Sequence, residues 1–318
     1  MSIDIDAVKN FLSREAAVDE IAFLGSGEWS TAYLFAREGR RWVARFGAHP
    51  EDFRKDRRAF GLYGSIMPIP RILEIGEAFD GLSYAVSEWF AGERIDKIPE
   101  HQLRAAQPSL LEMLGVLSTA PLPISQDSSC GFGWWTPEGN ASHESWREVL
   151  LSIIHAEEHP RVAGWRAFLE TNAEWSRAFE AAASRLEDLA GACPPNVSCV
   201  LHGDLTAGNV LIEGTRVSAV IDWGNSLVGD PLYDVAWLVF WSPWHPGLDA
   251  DFILSETRKI AFEGSAVEVD HFEERLLACY LYIGLDSMAY NAFRKTEVHL
   301  NGTIERLAAL VAGFGTAA

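Results

Sequence analysis

Between residues 21 and 47 the chain reads IAFLGSGEWSTAYLFAREGRRWVARFG. Its apolar and polar positions alternate, a period of two that predicts three strands, with one turn at Gly25–Gly27 and another near Gly39. An amphipathic helix is expected before it, over residues 5–16, and a charged helix after it, over 50–66, stopped by MPIP at 67–70. Two further strands, RILEIGEAF and LSYAVSEWF, bracket a turn at Asp80–Gly81. The first ninety residues therefore read as antiparallel sheet with one internal helix.

Beyond AGERI at 91–95 the period changes. Helical spacing governs 100–119, 143–156, 161–191, 229–241, 250–262 and 268–294, with a last helix near 301–314. The β signal in this half is confined to 197–222. The plan is α+β: a small sheet lobe, residues 1–90, joined to a larger helical lobe, residues 91–318. A cleft between two such lobes is a usual place for a ligand.

Composition changes this picture little, and charge more. Apolar residues make up 48% and charged residues 22%, ordinary for a globular chain. With 26 basic against 45 acidic residues the net charge is −19, a field that repels nucleic acid and anionic membrane surfaces and attracts a small cation. Solubility alone would account for the same number. The longest apolar run, VAWLVFW at 235–241, is too short to cross a bilayer, and the N-terminal segment lacks the pattern of a signal peptide. Cysteines at 130, 193, 199 and 279 form no CxxC pair, so reduced thiols in a cytoplasm are expected. No obligate protein partner is implied.

The most demanding passage is LHGDLTAGNVLIEGTRVSAVIDWG, residues 201–224. It places Asp204, Asn209 and Asp222 around apolar strand-formers, and a buried carboxylate is costly unless something compensates it. Two strands joined by the turn at Glu213–Gly214 bring Asn209 and Asp222 together at one end of a hairpin. Oxygen ligands from an Asp and an Asn suit Mg²⁺. A second Asp held off the metal can accept a proton from a hydroxyl, and these are the parts that phosphoryl transfer needs. Gly203 and Gly208 permit the tight loop between them.

The run HGDLTAGN, then IDWG, then GDPLYDVA resembles the signature of the aminoglycoside phosphotransferase and choline kinase family, relatives of the protein kinases. The resemblance implies a protein-kinase-like two-lobe fold, ATP (or GTP) and Mg²⁺ as cofactors, Asp204 as catalytic base, Asn209 and Asp222 as metal ligands, and Asp234 as a structural brace. His202 is expected to pack or orient the loop. GSGEWSTAYLF (25–35) falls where the family covers the nucleotide phosphates, which marks Gly25, Ser26, Gly27 and Ser30; a plain hairpin turn would read the same. Arg45 stands at the family's phosphate-binding lysine and Asp56 at its partnering glutamate. Both are departures; an ion pair between them would span a similar gap, since arginine is longer than lysine and aspartate shorter than glutamate, and two surface charges with no mutual contact are the alternative. VSEWFAG (86–92) reads as the interlobe hinge, with Ser87, Glu88, Trp89 and Phe90 beside adenine. The segments FRKDRRAFGLYGSIMPIPRILEIGE, GFGWWTPEG, FWSPW and YIGLDSM are similar to the hygromycin B-type branch.

On the acceptor side, acids crowd the region after FWSPWHPG: Asp249, Asp251, Glu256, Glu263, Glu268, Asp270, Glu273 and Glu274. Asp251, Glu256 and Glu274 are the candidates to hold the ammonium groups of a cationic acceptor, the alternative being solvated helix faces. Trp241 and Trp244 could wall the pocket or pack in the core. Asp286, an acid in an otherwise apolar helix, is a further candidate. HAEEH at 155–159 matches a zinc-peptidase pattern, but Pro160 disfavours helix at His159, and no zinc is expected. Two rival functions stay open: phosphorylation of another alcohol such as choline or a sugar, and nucleotide binding without catalysis.

Overall fold

A computed structural model of the chain describes residues 3–14, 17–122, 131–192, 198–206, 208–262 and 271–315. Cys130, Cys193, Glu263, Glu268 and Asp270 lie outside the described residues.

The N-terminal lobe is a five-stranded antiparallel sheet ordered β1-β2-β3-β5-β4: β1 Ile21–Ser26, β2 Ser30–Arg37, β3 Arg40–Gly47, β4 Ile72–Glu77 and β5 Ser83–Glu88. Alternation sorts the side chains into two faces. Tyr33, Phe35, Ala44 and Phe46 are buried with Val8 and Leu12 of helix α1 (Ile5–Leu12), which Asp4 caps through the Asp6 amide. The opposite face carries Ala32 and Arg45, paired across β2 and β3. Helix α2 (Pro50–Tyr63) covers that side, with Phe53 buried against Ile72 and Ala85. The turn at Asp80–Gly81 has both φ angles positive, 53° and 73°, as a tight two-residue hairpin requires.

In the C-terminal lobe, helices α3 (Glu100–Thr119), α4 (Trp146–His155), α5 (Trp165–Leu169), α6 (Ala173–Leu189), α7 (Leu232–Trp241), α8 (Ala250–Phe262), α9 (Phe272–Phe293) and α10 (Glu297–Gly315) surround two small sheets. Helix α9 is buried on nearly every side and is apolar all round, as a central helix must be. The expected helix over 161–191 is broken: a 3-10 turn at Pro160–Val162 and α5 precede α6, whose cap is Asn172. Four strands were not foreseen: β6 (Glu93–Arg94), β7 (Phe132–Trp135), β8 (Ala141–His143) and β12 (Leu227–Gly229). Each spans two to four residues, too few for a period to register. With β9 (Cys199–Leu201) they form the sheet β8-β7-β12-β9, while β6 joins the hairpin β10 (Val210–Glu213) and β11 (Arg216–Val220). Among the described residues no helix is long and apolar enough to cross a membrane.

Candidate active site

The hairpin β10–β11 sets the geometry. Val210 pairs with Val220, and the Ile221 amide donates to the Asn209 carbonyl at 2.9 Å, so Asn209 and Asp222 flank its open end. The Asn209 side-chain amide donates to the Asp204 carbonyl at 2.9 Å, which leaves its oxygen with no hydrogen-bond partner among the described residues. Asp222 sits at φ 62°, a left-handed conformation uncommon for a non-glycine residue, with its carboxylate 45% exposed. Among the described residues no cluster of three or more His, Cys, Asp or Glu side chains forms a metal cage. An amide oxygen plus one carboxylate is instead the small donor set suited to Mg²⁺, which takes its other ligands from phosphates and water.

The loop carrying Asp204 is held from behind. His202 is fully buried, and desolvation pushes its pKa down to about 4. The neutral ring accepts from the Asp204 amide at Nδ1 (3.3 Å), so Nε2 carries the proton and donates to the Ile221 carbonyl at 3.0 Å. One imidazole thus ties the Asp204 loop to the Asp222 segment. Asp234, in the first turn of α7 and 1% exposed, accepts the amides of His202 at 2.8 Å and Gly203 at 2.9 Å. Burial pushes its carboxyl up to about 6 against the pull of those two bonds. Gly203 (φ 77°) could not carry a side chain, since a Cβ would lie 2.7 Å from the Asn225 carbonyl oxygen. Gly208 (φ 89°) leaves room for the Arg94 guanidinium, 2.2 Å from where its Cβ would be.

Arg45 and Asp56 do form an ion pair, and Arg45 Nη1 also lies 3.8 Å from Asp222 Oδ1. Asp56 accepts the Trp223 amide at 2.7 Å, so the pair is joined to the segment after Asp222. In the β1–β2 connection the Gly27 amide donates to the Ser30 carbonyl at 2.9 Å, and the Ser26 and Thr31 hydroxyls lie 3.1 Å apart. Neither Gly25 nor Gly27 has a left-handed φ. Ser87 is buried on β5 opposite Val43, Glu88 accepts from the Arg71 amide at 3.1 Å, and Trp89 lies under the Arg41 guanidinium at 5.1 Å. Phe90 follows the end of β5, outside the sheet.

A cavity of ≈ 2060 Å³ is lined by Gly27, Ser30, Arg45, Asp204, Asn209 and Asp222 and also by Trp241, Trp244 and Asp286. Trp237, Trp241 and Trp244 follow one another along its wall, with ring centroids 5.9 and 5.3 Å apart. The Trp241 indole N–H is buried with no partner among the described residues. Asp286 is half-buried and makes no hydrogen bond or ion pair with any described residue, and burial alone pushes its carboxyl up to about 6. The acidic candidates of the late helices go elsewhere. Asp251, Glu256 and Glu274 do not line this cavity; Glu256 pairs with Lys259 at 2.5 Å and Glu274 with His271 at 4.0 Å. The residues of HAEEH are also engaged singly: His155 with Glu187, Glu158 with the Gly164 and Arg166 amides, His159 with the Arg161 amide.

Several contributors carried no obvious sequence signal. Glu28, at the tip of the β1–β2 loop, pairs with Arg294 and accepts from the Tyr290 hydroxyl at 3.5 Å, which joins the loop to the far end of α9. Arg161 pairs with Glu51 and Asp52 on the first turn of α2. Asp230 holds Arg275 by two bonds of 2.7 and 2.8 Å, with both side chains at most 2% exposed. Arg275 could have been suspected, as the one basic residue within α9.

Comparison with known proteins decides the family. The model of the phosphotransferase enzyme family matches residues 20–262. The chain belongs to that family. It is 32% identical over 286 residues to hygromycin-B 4-O-kinase of Escherichia coli, covering 89% of this chain and 78% of that protein. A thermostable mutant of aminoglycoside phosphotransferase APH(4)-Ia, solved as a ternary complex with AMP-PNP and hygromycin B, superposes with a TM-score of 0.83 at 30% identity, covering 98% of this chain and all of that one. APH(2")-IIa in complex with gentamicin shares the fold at a TM-score of 0.59 and 18% identity. The family's kinase-like architecture, a sheet lobe on a helical lobe, is the one the sequence led us to expect.

Proposed function

We propose that this phosphotransferase moves the γ-phosphoryl group of ATP to a hydroxyl of an aminoglycoside of the hygromycin B type. One observation carries the reading: Asp204, Asn209 and Asp222 share a single cavity with Asp286, a carboxylate with no partner among the described residues, and a wall of tryptophans. The first group is equipped for phosphoryl transfer, and the second for a cationic, hydroxyl-rich guest.

In the proposed reaction Asp204 accepts the acceptor hydroxyl proton as the new O–P bond forms and the bond from the γ-phosphorus to the ADP oxygen breaks. The Asn225 amide nitrogen, 3.4 Å from Asp204 Oδ2, and the tether through His202 hold that carboxylate in place. Asn209 and Asp222 would hold Mg²⁺, which when bound supplies neutralisation of charge on the phosphates. Arg45, braced by Asp56, presents its guanidinium to the same phosphates. Asp286 meets an acceptor ammonium group and the Trp241 indole N–H an acceptor oxygen. A cytoplasmic setting belongs to the same proposal; the described cysteines, Cys199 and Cys279, are buried free thiols.

The test is purified protein with ATP and Mg²⁺ against hygromycin B, other aminoglycosides, choline and simple sugars, followed by ADP release and by the acceptor's mass. Phosphorylated hygromycin B is the expected product. Selective turnover of choline or a sugar would replace the acceptor assignment, and nucleotide binding with no turnover of any alcohol would overturn the enzymatic reading.

A further inference from the structure

Lys55 is a buried amine at the interface of the lobes that the phosphoryl-transfer scheme leaves unused, and burial pushes its pKa down to about 7. It is 5% exposed and lies 4.9 Å over the ring of Trp135. Its ammonium group donates to the Gly224 carbonyl at 2.8 Å and to the Ser226 carbonyl at 2.9 Å. Both acceptors belong to the segment that follows Asp222 directly, about 170 residues further along the chain. The next residue on α2, Asp56, takes the Trp223 amide at 2.7 Å. Two turns on, the Tyr63 ring stacks on the Trp223 indole with centroids 5.8 Å apart. Three peptide groups between Asp222 and Leu227, and one side chain, are thus fixed to a single helix.

Such a hold is needed because Asp222 is in a left-handed conformation, uncommon for any residue but glycine although aspartate tolerates it better than most. Its side chain makes no capping bond to the turn that follows, and the carboxylate is half in solvent. Arg45 Nη1, 3.8 Å away, attracts the carboxylate, but no bond from its own turn orients it. A strained backbone persists where the surroundings over-determine it, and here they are the Lys55 and Asp56 side chains. Without the Lys55 ammonium, two carbonyls in a buried turn would lose their donor and the turn would rearrange to find others.

We propose that Lys55 is a positioning residue, which sets the Asp222 carboxylate for Mg²⁺ by holding the Gly224 and Ser226 carbonyls against α2. This rests on the reading of Asp222 as a metal ligand given above. Groups that orient a metal ligand from behind are worth about 10–100-fold in metal affinity.

The experiment is calorimetric binding of ADP, and of a non-hydrolysable ATP analogue, across a Mg²⁺ titration, with thermal unfolding recorded alongside. Lys55→Met should raise the Mg²⁺ concentration needed for half-maximal tightening by about 10-fold or more, while affinity without metal stays within about twofold of wild type. Lys55→Arg, which keeps the donors, should recover part of the loss. Ala59→Gly, a helix-weakening change on the same face, should lower thermal stability and leave the Mg²⁺ requirement alone. A folded Lys55→Met protein with the wild-type Mg²⁺ requirement, or an equal shift from Ala59→Gly, overturns the proposal. If Lys55→Met does not fold, Lys55→Gln, with a shorter side chain and a single amide donor, is read the same way: a raised requirement supports the role and an unchanged one refutes it. Asp222→Ala separates the two ideas, because unchanged metal dependence there removes the metal reading itself.

Discussion

Asp286→Asn should make the empty enzyme more stable and a worse catalyst. At pH 7 the Asp286 carboxylate is ionised in the folded chain although burial holds its pKa near 6, against 3.8 when unhindered. The gap of about 2 units corresponds to about 3 kcal/mol of folding free energy. The sign follows from proton binding. Between about pH 4 and 6 the folded state holds this proton more tightly than the unfolded chain, so stability falls as pH rises through that window. Above it the penalty is complete. An amide of the same shape removes the charge, yet it still has to be desolvated, so about 3 kcal/mol is an upper bound on the gain at pH 7. For a chain of this length that is a rise of a few degrees in Tm. The cost appears in the acceptor site. A hydrogen bond to a charged group contributes about 1.5–3 kcal/mol, so the acceptor KM should rise by about 10–150-fold while the KM for ATP stays put. The wild-type acceptor KM should also fall as pH rises through about 6 and the variant's should not. Urea unfolding at pH 5 and 7, with steady-state kinetics over the same range, tests both halves. A variant that is less stable at pH 7 and has an unaltered acceptor KM would refute the reasoning.

Asp204→Asn should cut turnover by about 10²–10⁴-fold with nucleotide binding nearly intact; a purified variant keeping a tenth of wild-type kcat removes Asp204 from the base role. Arg45 and Asp56, now seen in contact, should couple by about 0.5–3 kcal/mol in a double-mutant cycle on the KM for ATP, and strict additivity would contradict the pair. His202 and Asp234 should impose opposite pH dependences. The His202 share of stability is lost as pH falls from 6.5 to about 4, whereas Asp234, pushed up to about 6, becomes less costly as pH falls through nearly the same range. Asp234→Asn should therefore expose a loss of up to about 3 kcal/mol toward pH 4 that the wild type partly hides, and parallel unfolding profiles would count against it. Neutralising Asp251, Glu256 and Glu274 together should leave acceptor affinity at about 0.15 M salt nearly unchanged, because those acids lie off the cavity and the Debye length is then about 8 Å; a loss comparable to that of Asp286→Asn would put them back in the site.

The candidate catalytic and metal-binding residues were legible together with His202 and Asp234 behind them, whereas the contacts between the lobes were not, and the difference comes down to sequence distance. Asp204, Asn209 and Asp222 fall within one strand–turn–strand passage, so residue type, spacing and hairpin geometry fix them together. The contacts between the lobes are long-range. Lys55 reaches Gly224, Arg161 reaches Asp52 and Arg294 reaches Glu28 across 169, 109 and 266 residues, and no local pattern relates such partners. The strand pairs β1–β2 and β2–β3 could be read because the strands run six to eight residues and the central one, β2, alternates along nearly its whole length. Strands β6 and β12 make ladders of two and three residues that exist only because β10 and β9 already stand beside them.

The acidic residues after FWSPWHPG show a different limit. Composition records that a segment is acidic but not where its carboxylates point, and a helix surface needs charge whether or not a cation ever docks there. One signal did separate the cases. Glu256 has Lys259 three residues on along α8, the arrangement of a solvated surface pair, and Glu274 lies 4.0 Å from the ring of His271, which precedes α9. Asp286 has no cation at three or four residues in either direction, only Tyr282, Ile283, Ala289 and Tyr290. An acid with no partner among the described residues, amid apolar neighbours on α9, is retained at a cost to stability. In the proposed function, the ammonium group of a bound acceptor compensates that cost.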